Sequence, residues 1–440
     1  MDSSAARTLA FASLAEADAK LAQLQAINPF LIDLSLRENP VGAPIGQTLA
    51  DKLAILPRLR AFGFQNILLG TLDYSMPEAP EVDDQFMLYL RDNGIGMHGC
   101  YAFTAIGRTA AGGAFIADPS QLKLQAYGVP NTLHEIYLSD EGMAGEGYDL
   151  ASLLRSLPDS IRWLQDNIRG DAGGPPRIII NIVDGCDAMA QVPERVFEVL
   201  ELLARQPIEG VSIEDDRGTY LPFQVGAYVA AMRGFLPPPL RLMVHVHAGA
   251  GFENASVIEA LLNGADGVWA ALPKQAAVIG HASLGELIGN LVRVGNPNMQ
   301  QYGLHHLLPL TNALQTLDDR QPLPDDVPIF GRNAYRLPLS FFRQKPGRFM
   351  DLVPEAIGGS YRYRVCPVVS DPAVIAGRLA EVTGEPLEKF SETLTRRMIV
   401  LMREDLRAGQ RIPYDQPDEL LRLLDRALSE PSNRVLINDV

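Results

Sequence analysis

Arg241-Leu-Met-Val-His-Val-His-Ala-Gly-Ala-Gly251 is an apolar run that ends in two histidines, and a helix-like segment follows it from Asn254. Side chains alternate between the faces of an extended strand, so His245 and His247 point the same way. Two imidazoles on one side of a strand end bind one divalent metal when carboxylate or further imidazole ligands converge on them. A pair of satisfied core histidines has the same signature, and an H-x-H alone does not separate the two readings.

The surrounding chain shifts the weight. Apolar runs at 30–36, 66–71, 96–103, 132–138, 177–184, 210–215, 241–247 and 266–272 alternate with helical patterns at 48–61, 82–92, 149–168, 192–205, 223–233 and 254–263. The segment 104–131 is less regular. A first helix spans 5–27, with Leu9, Leu14, Leu21, Leu24 and Ile27 at helical spacing. Eight strands alternating with helices predict a parallel sheet closed as a (β/α)8 TIM barrel over 28–290, preceded by an N-terminal helix within 1–27. Ser35, Arg37 and Glu38 follow the first run, Asp184 ends the fifth, and Glu214, Asp215 and Asp216 end the sixth. His245 and His247 end the seventh, and His281 follows the eighth. The C-terminal strand ends form the active-site face of this fold, and a ring of polar strand ends favours a site there.

The 440 residues exceed a barrel of about 250. Residues 291–440 read as a linker and a mainly helical C-terminal extension, with helices at 304–317, 371–382, 386–408 and 416–429 and a loose tail past Glu430. A net charge of −15 without a Lys/Arg cluster argues against nucleic acid as a main partner. Cys100, Cys186 and Cys366 lie far apart with no C-x-x-C, so neither a disulfide framework nor a zinc ribbon is suggested. No apolar run reaches membrane-spanning length, and the N-terminus is unlike a signal peptide. The expectation is a soluble, cytoplasmic enzyme acting on a small molecule, with no membrane partner.

Asp33-Leu-Ser-Leu-Arg-Glu-Asn-Pro-Val41, continued by Lys52 and Gly63, stands where the metal-dependent aldol/Claisen barrels carry D-x-T-L-R-D-G-x-Q. His245-Val-His-Ala-Gly-Ala-Gly-Phe252, Gly264-Ala265 and Gly280-His-Ala-Ser-Leu284 stand in place of H-x-H-N-D-x-G-L and the later G-N-A. Ile213-Glu-Asp-Asp-Arg-Gly218 with Pro222 looks like I-P-D-T-x-G…P, and Pro328-Ile-Phe-Gly-Arg-Asn-Ala-Tyr335 looks like the P-I-V-G-x-N-A-F of the synthases. The chain therefore resembles the DRE-TIM metallolyase superfamily, which includes 2-isopropylmalate synthase, homocitrate synthase and hydroxymethylglutaryl-CoA lyase, with the last motif favouring the synthase branch.

That resemblance implies a divalent metal held by Glu38, His245, His247 and His281, with Arg37 on the carbonyl and developing enolate oxygen. It also implies acyl-CoA as a co-substrate and a homodimer. The ligand set departs from the family, with Glu for Asp at 38 and His for Asn at 281; its nitrogen richness suits Fe, Co, Mn or Zn better than Mg. The family's acid/base and substrate positions fall at Leu68, near Val183 with Asp184 beside it, at Asp216 and near Phe342. Candidate catalytic residues are Arg37, Asp184 and Asp215; candidate substrate contacts are Ser35, Tyr101 and Asp216. Asp184 is a helix-start residue or a general base, and Asp216 caps the Pro222 helix or repels a substrate carboxylate. Three functions stay open: carbon–carbon bond formation or cleavage on a 2-oxo acid, a non-haem iron enzyme of oxygenase type, and a silent binding relative.

Overall fold

In the computed structural model, which describes residues 3–38, 40–41, 43–72, 81–110, 112–274, 277–319, 323–331, 333–339 and 352–429, eight parallel strands close into a barrel. They are β1 (Phe30–Asp33), β2 (Asn66–Thr71), β3 (Cys100–Ala105), β4 (Asn131–Ile136), β5 (Ile178–Ile182), β6 (Gly210–Asp215), β7 (Arg241–Val246) and β8 (Gly267–Ala270). β1 pairs with both β2 and β8, which closes the ring. The helices that follow the strands are Leu49–Phe62, Val82–Asp92, Pro119–Tyr127, Leu150–Asn167, Pro193–Leu203, Pro222–Arg233, Glu253–Leu262 and Leu284–Arg293. The irregular stretch 104–131 contains a short antiparallel ladder, Arg108–Thr109 against Phe115–Ile116, before the Pro119–Tyr127 helix.

The period of two along each strand decides what fills the barrel. Ile32, Leu68, Tyr101, Phe103, Leu133, Ile179, Met243 and Trp269 form one buried cluster. Trp269 is tied down within it: its indole N–H donates to Ser212 Oγ at 2.6 Å, and the Phe103 ring meets it edge-on at 5.6 Å between centroids. Tyr101, expected to contact substrate, instead lies near the N-terminal end of β3, under the Arg177 guanidinium and away from the strand ends that form the site face.

β1 is shorter than the apolar run suggests. The chain turns at Leu34, whose carbonyl accepts the N–H groups of Arg37 and Glu38, both at 2.9 Å. Ser35, also expected to contact substrate, is fully buried and structural. Its N–H and hydroxyl donate to the Asp33 carboxylate at 3.1 and 2.9 Å, and its hydroxyl accepts the Leu272 N–H at 3.1 Å. Burial pushes the Asp33 carboxyl up to about 7 despite those bonds. Lys52, also buried, pairs with Asp83 at 2.8 Å and donates to the Leu36 carbonyl, steadying the turn that carries Arg37.

The chain divides into two compact units, Met1–Leu323 and Pro324–Val440. Helix Leu307–Asp319, grouped with the C-terminal region on sequence, falls in the first. The N-terminal helix Ser3–Ala26 is bonded to the barrel near its C-terminal end, where Gln23 and Gln25 donate to the Leu262 and Val294 carbonyls at 3.1 and 2.9 Å; Leu9, Phe11 and Leu14 are exposed. In the second unit, helices Pro372–Thr383, Glu392–Arg407 and Pro417–Ser429 enclose Ile375, Leu379, Met398, Met402, Leu420 and Leu423. The residues 430–440 read as a loose tail lie outside the described residues. Among the described residues no helix is long and apolar enough to cross a membrane.

Ser35→Ala leaves the Leu272 amide and an Asp33 oxygen buried without their partner. It should lower unfolding free energy by about 1–3 kcal/mol, read from the urea midpoint, while metal content stays unchanged.

Candidate metal centre

On β7, Met243 belongs to the barrel core, so the alternation also turns His245 inward. Its ring stacks on Trp269 at 3.8 Å between centroids and 11° between planes. Its Nδ1 lies 2.7 Å from the Trp269 carbonyl. A carbonyl only accepts, so Nδ1 carries the proton and Nε2 keeps a lone pair. Nε2 is buried with no hydrogen-bond partner.

His281 comes beside His245 from the segment after β8, outside the group formed by Glu214, His245 and His247, whose ligand atoms lie within 4.8 Å of one another. An antiparallel bridge pairs it with His247: Ala282 N–H donates to the Val246 carbonyl and Ala248 N–H to the Gly280 carbonyl, both at 2.9 Å. His281 Nδ1 donates to the Ala282 carbonyl at 2.8 Å, which again leaves Nε2 as a buried lone pair without a partner. The His245 and His281 ring centroids are 5.3 Å apart, and those of His245 and His247 are 4.8 Å apart. Burial first, and then the neighbouring imidazoles, hold His245 well below its ordinary value and bring His281 down to about 3. Both are neutral at working pH, the form in which imidazole binds metal.

The carboxylate in this group is Glu214. One ligand atom each from Glu214, His245 and His247 lie within 4.8 Å of one another. Glu214 stands opposite His245 in the β6–β7 register. Its Oε2 accepts from Asn181 Nδ2 at 2.7 Å and its Oε1 from His247 Nε2 at 3.2 Å, so the unpartnered, buried nitrogen of His247 is Nδ1. Glu38, expected as the carboxylate ligand, instead places Oε1 against Arg37, while its Oε2 is buried without a partner. The guanidinium of Arg37 lies over the Phe103 ring at 4.6 Å, near enough to His245 and His281 that its charge helps keep both neutral. Buried lone pairs on three imidazoles, beside carboxylate oxygens, match the donor chemistry of a divalent transition metal. The hydrogen bonds to backbone carbonyls and to Glu214 supply the orientation such ligands require.

Asp184 and Asp215, expected as catalytic residues, have carboxylates engaged by backbone amides. The Asp184 carboxylate accepts the N–H groups of Leu138 and Ser139 at 2.8 and 2.7 Å. Asp215 alternates with Glu214 to the opposite face of β6, where its carboxylate accepts Thr219 and Tyr220 N–H at 3.2 and 3.0 Å. Asp216 is not the cap of helix Pro222–Arg233, whose N-cap position is Leu221. It lies near Glu214, Asp187 and His247; burial and then the carboxylate charges push it up to about 6. Leu68 sits in the barrel core, and Phe342 lies outside the described residues. Sequence reading missed Asn181 and the role of Glu214. The two-residue alternation from Ser212, through Glu214, marks Glu214 as the inward member of its acidic trio.

Solved structures similar to this chain include two HMG-CoA lyases. The Bacillus subtilis enzyme has a TM-score of 0.54 at 17% identity, covering 70% of this chain and 97% of that one. The Acinetobacter baumannii enzyme, in complex with coenzyme A and 3-methylmalate, has a TM-score of 0.51 at 17% identity, covering 68% and 97%. These likenesses concern the fold. No family model matches the sequence. In sequence, (R)-citramalate synthase of Streptomyces coelicolor is 24% identical over 409 residues, spanning 91% of this chain and 72% of that protein. In sequence and in fold, then, the chain is similar to enzymes of the kind its motifs resemble. Against the motifs it resembles, the chain's departures cluster at the donors: Glu38 and His281 stand in place of Asp and Asn, and Glu214 brings a carboxylate on β6.

Titrating metal-stripped protein with Co²⁺ ranks the donors. Glu214→Gln should weaken binding about ten- to hundredfold, and by more than Glu38→Gln; the reverse order would return the carboxylate role to Glu38. His247→Ala should cost more affinity than His281→Ala.

Proposed function

We propose that this metal-dependent aldol/Claisen enzyme condenses a 2-oxo acid with an acyl thioester, a reaction of the kind the name citramalate synthase describes. The observation that carries the reading is the buried Arg37 guanidinium, paired with Glu38, stacked on Phe103 and set beside the imidazoles. A guanidinium is charged at any working pH and offers a rigid fork of donors, which suits a carboxylate or an enolate oxygen. Its burial strengthens the interaction with charge that develops on that oxygen, and the ring contact holds its direction.

His245, His247, His281 and Glu214 would hold the divalent ion, with Fe, Co, Mn or Zn suited to so many nitrogens. When bound, the ion supplies Lewis-acid polarisation of a carbonyl. Glu38 keeps one oxygen on Arg37 and leaves the other without a hydrogen-bond partner. That second oxygen either completes the ligand set or takes the proton from the donor's α-carbon, and Arg37 orients it for both. Asn181 fixes Glu214 from the opposite side, so the carboxylate facing the imidazoles is pre-positioned.

Arg37→Lys should keep Co²⁺ uptake near normal and lower the rate about 10²–10³-fold, the range for loss of an oxyanion donor. The assay is CoA release from acetyl-CoA across a panel of 2-oxo acids. Silence of the metal-loaded wild type on every pair would overturn the condensation reading, and full activity of Arg37→Lys would make Arg37 structural.

We also propose a cytoplasmic homodimer, supported by the exposed Leu9, Phe11 and Leu14 of the N-terminal helix. Light scattering should return twice the chain mass, and a monomer at micromolar concentration would refute it.

A further inference from the structure

His281 lies outside the barrel strands, so its place depends on how the segment after β8 is held. Its backbone N–H donates to the Lys274 carbonyl at 3.1 Å. The Lys274 ammonium pairs with Glu253 Oε1. Glu253 opens helix Glu253–Leu262, the helix that follows His245 and His247. It is 3% exposed, and its other carboxylate oxygen is buried without a hydrogen-bond partner, while Lys274 pairs with the first. Asn254, the next residue, grips the far side. Its Oδ1 accepts the Ser283 N–H at 2.9 Å, and its Nδ2 donates to Glu286. The first turn of one helix thus holds the chain on both sides of His281, at Lys274 and at Ser283.

We propose that Lys274 is a positioning residue for the metal centre: its ion pair with Glu253 anchors the carbonyl that holds the His281 amide, and so sets where His281 Nε2 meets the lone pairs of His245 and His247. The inference rests on the metal reading of the site. An exposed ion pair would be a weak anchor. This one has a buried carboxylate on one side, and removing its cation leaves that charge uncompensated. β7 leads into the same helix, but His245 and His247 are held by separate contacts: His245 Nδ1 donates to the Trp269 carbonyl and the His247 N–H to the Asp215 carbonyl. Distortion at Lys274 is therefore transmitted to the third imidazole while His245 and His247 stay in place on their strand.

The test is Co²⁺ titration of the metal-stripped full chain, read by visible absorption, which reports affinity and coordination without an activity assay. Lys274→Met should lose about tenfold in affinity, the lower end for loss of an outer-shell partner, with a spectrum shifted as in His281→Ala. Lys274→Arg should retain wild-type binding. Lys274→Met with His281→Ala should bind no more weakly than His281→Ala alone, because both act through one ligand. Should Lys274→Met fail to fold, Lys274→Met with Glu253→Gln removes the stranded charge and keeps the same readout. Wild-type affinity and spectrum in the folded Lys274 variant, or losses that add in the combination with His281→Ala, would overturn the proposal alone. A wild-type chain that takes up no Co²⁺ would overturn the metal reading and this inference with it.

Discussion

The antiparallel pairing of His247 with His281 carries the rest of the site. Two backbone hydrogen bonds flank it, and they bring a loop residue as close to the β7 imidazoles as a strand neighbour would be. The pairing exists because the barrel closes with β8 beside β7, Gly267 opposite Met243 and Val268 opposite Val244. Closure therefore does two things at once. It buries the lumen, and it places the segment leaving β8 against the end of β7.

Burial then sets the chemistry. His245 lies on Trp269, and the same tryptophan offers its backbone carbonyl to His245 Nδ1. Trp269 is itself held by Ser212, one inward position before Glu214 on β6. A single layer of inward side chains thus fixes ring orientation, tautomer and protonation state together. Buried polar atoms ordinarily find a partner, and each one left without must be accounted for. Under the proposed metal reading, a bound cation would account for the unpartnered nitrogens of His245, His247 and His281.

The acidic end of β6 shows how finely the strand period divides labour. Glu214 faces the imidazoles, while Asp215, one residue on, turns away to accept the amides of Thr219 and Tyr220. Asp184 likewise lies at a strand end and serves the backbone of Leu138 and Ser139. Position at the C-terminal rim is thus necessary for a role in the site and insufficient for it. The face of the strand decides.

Eight strands, their closure as a barrel and the place of His245 at a strand end were legible in the sequence, because apolar periodicity and alternation are local properties of the chain. The proximity of His281 also follows once closure is granted. Three things required the tertiary structure. The pairing of Glu38 with its neighbour Arg37 depends on how the turn after β1 is held, and the placing of Glu214 among the imidazoles depends on side-chain reach across strands that are distant in sequence. The structural roles of Ser35, Asp184 and Asp215 depend on which backbone amides happen to lie near their oxygens. The grip of Glu253 and Asn254 on either side of His281 depends on a helix turn and a loop meeting in space. Periodicity is written residue by residue along the chain, whereas the partner of a polar atom is chosen by packing, and packing exists only after the chain has closed.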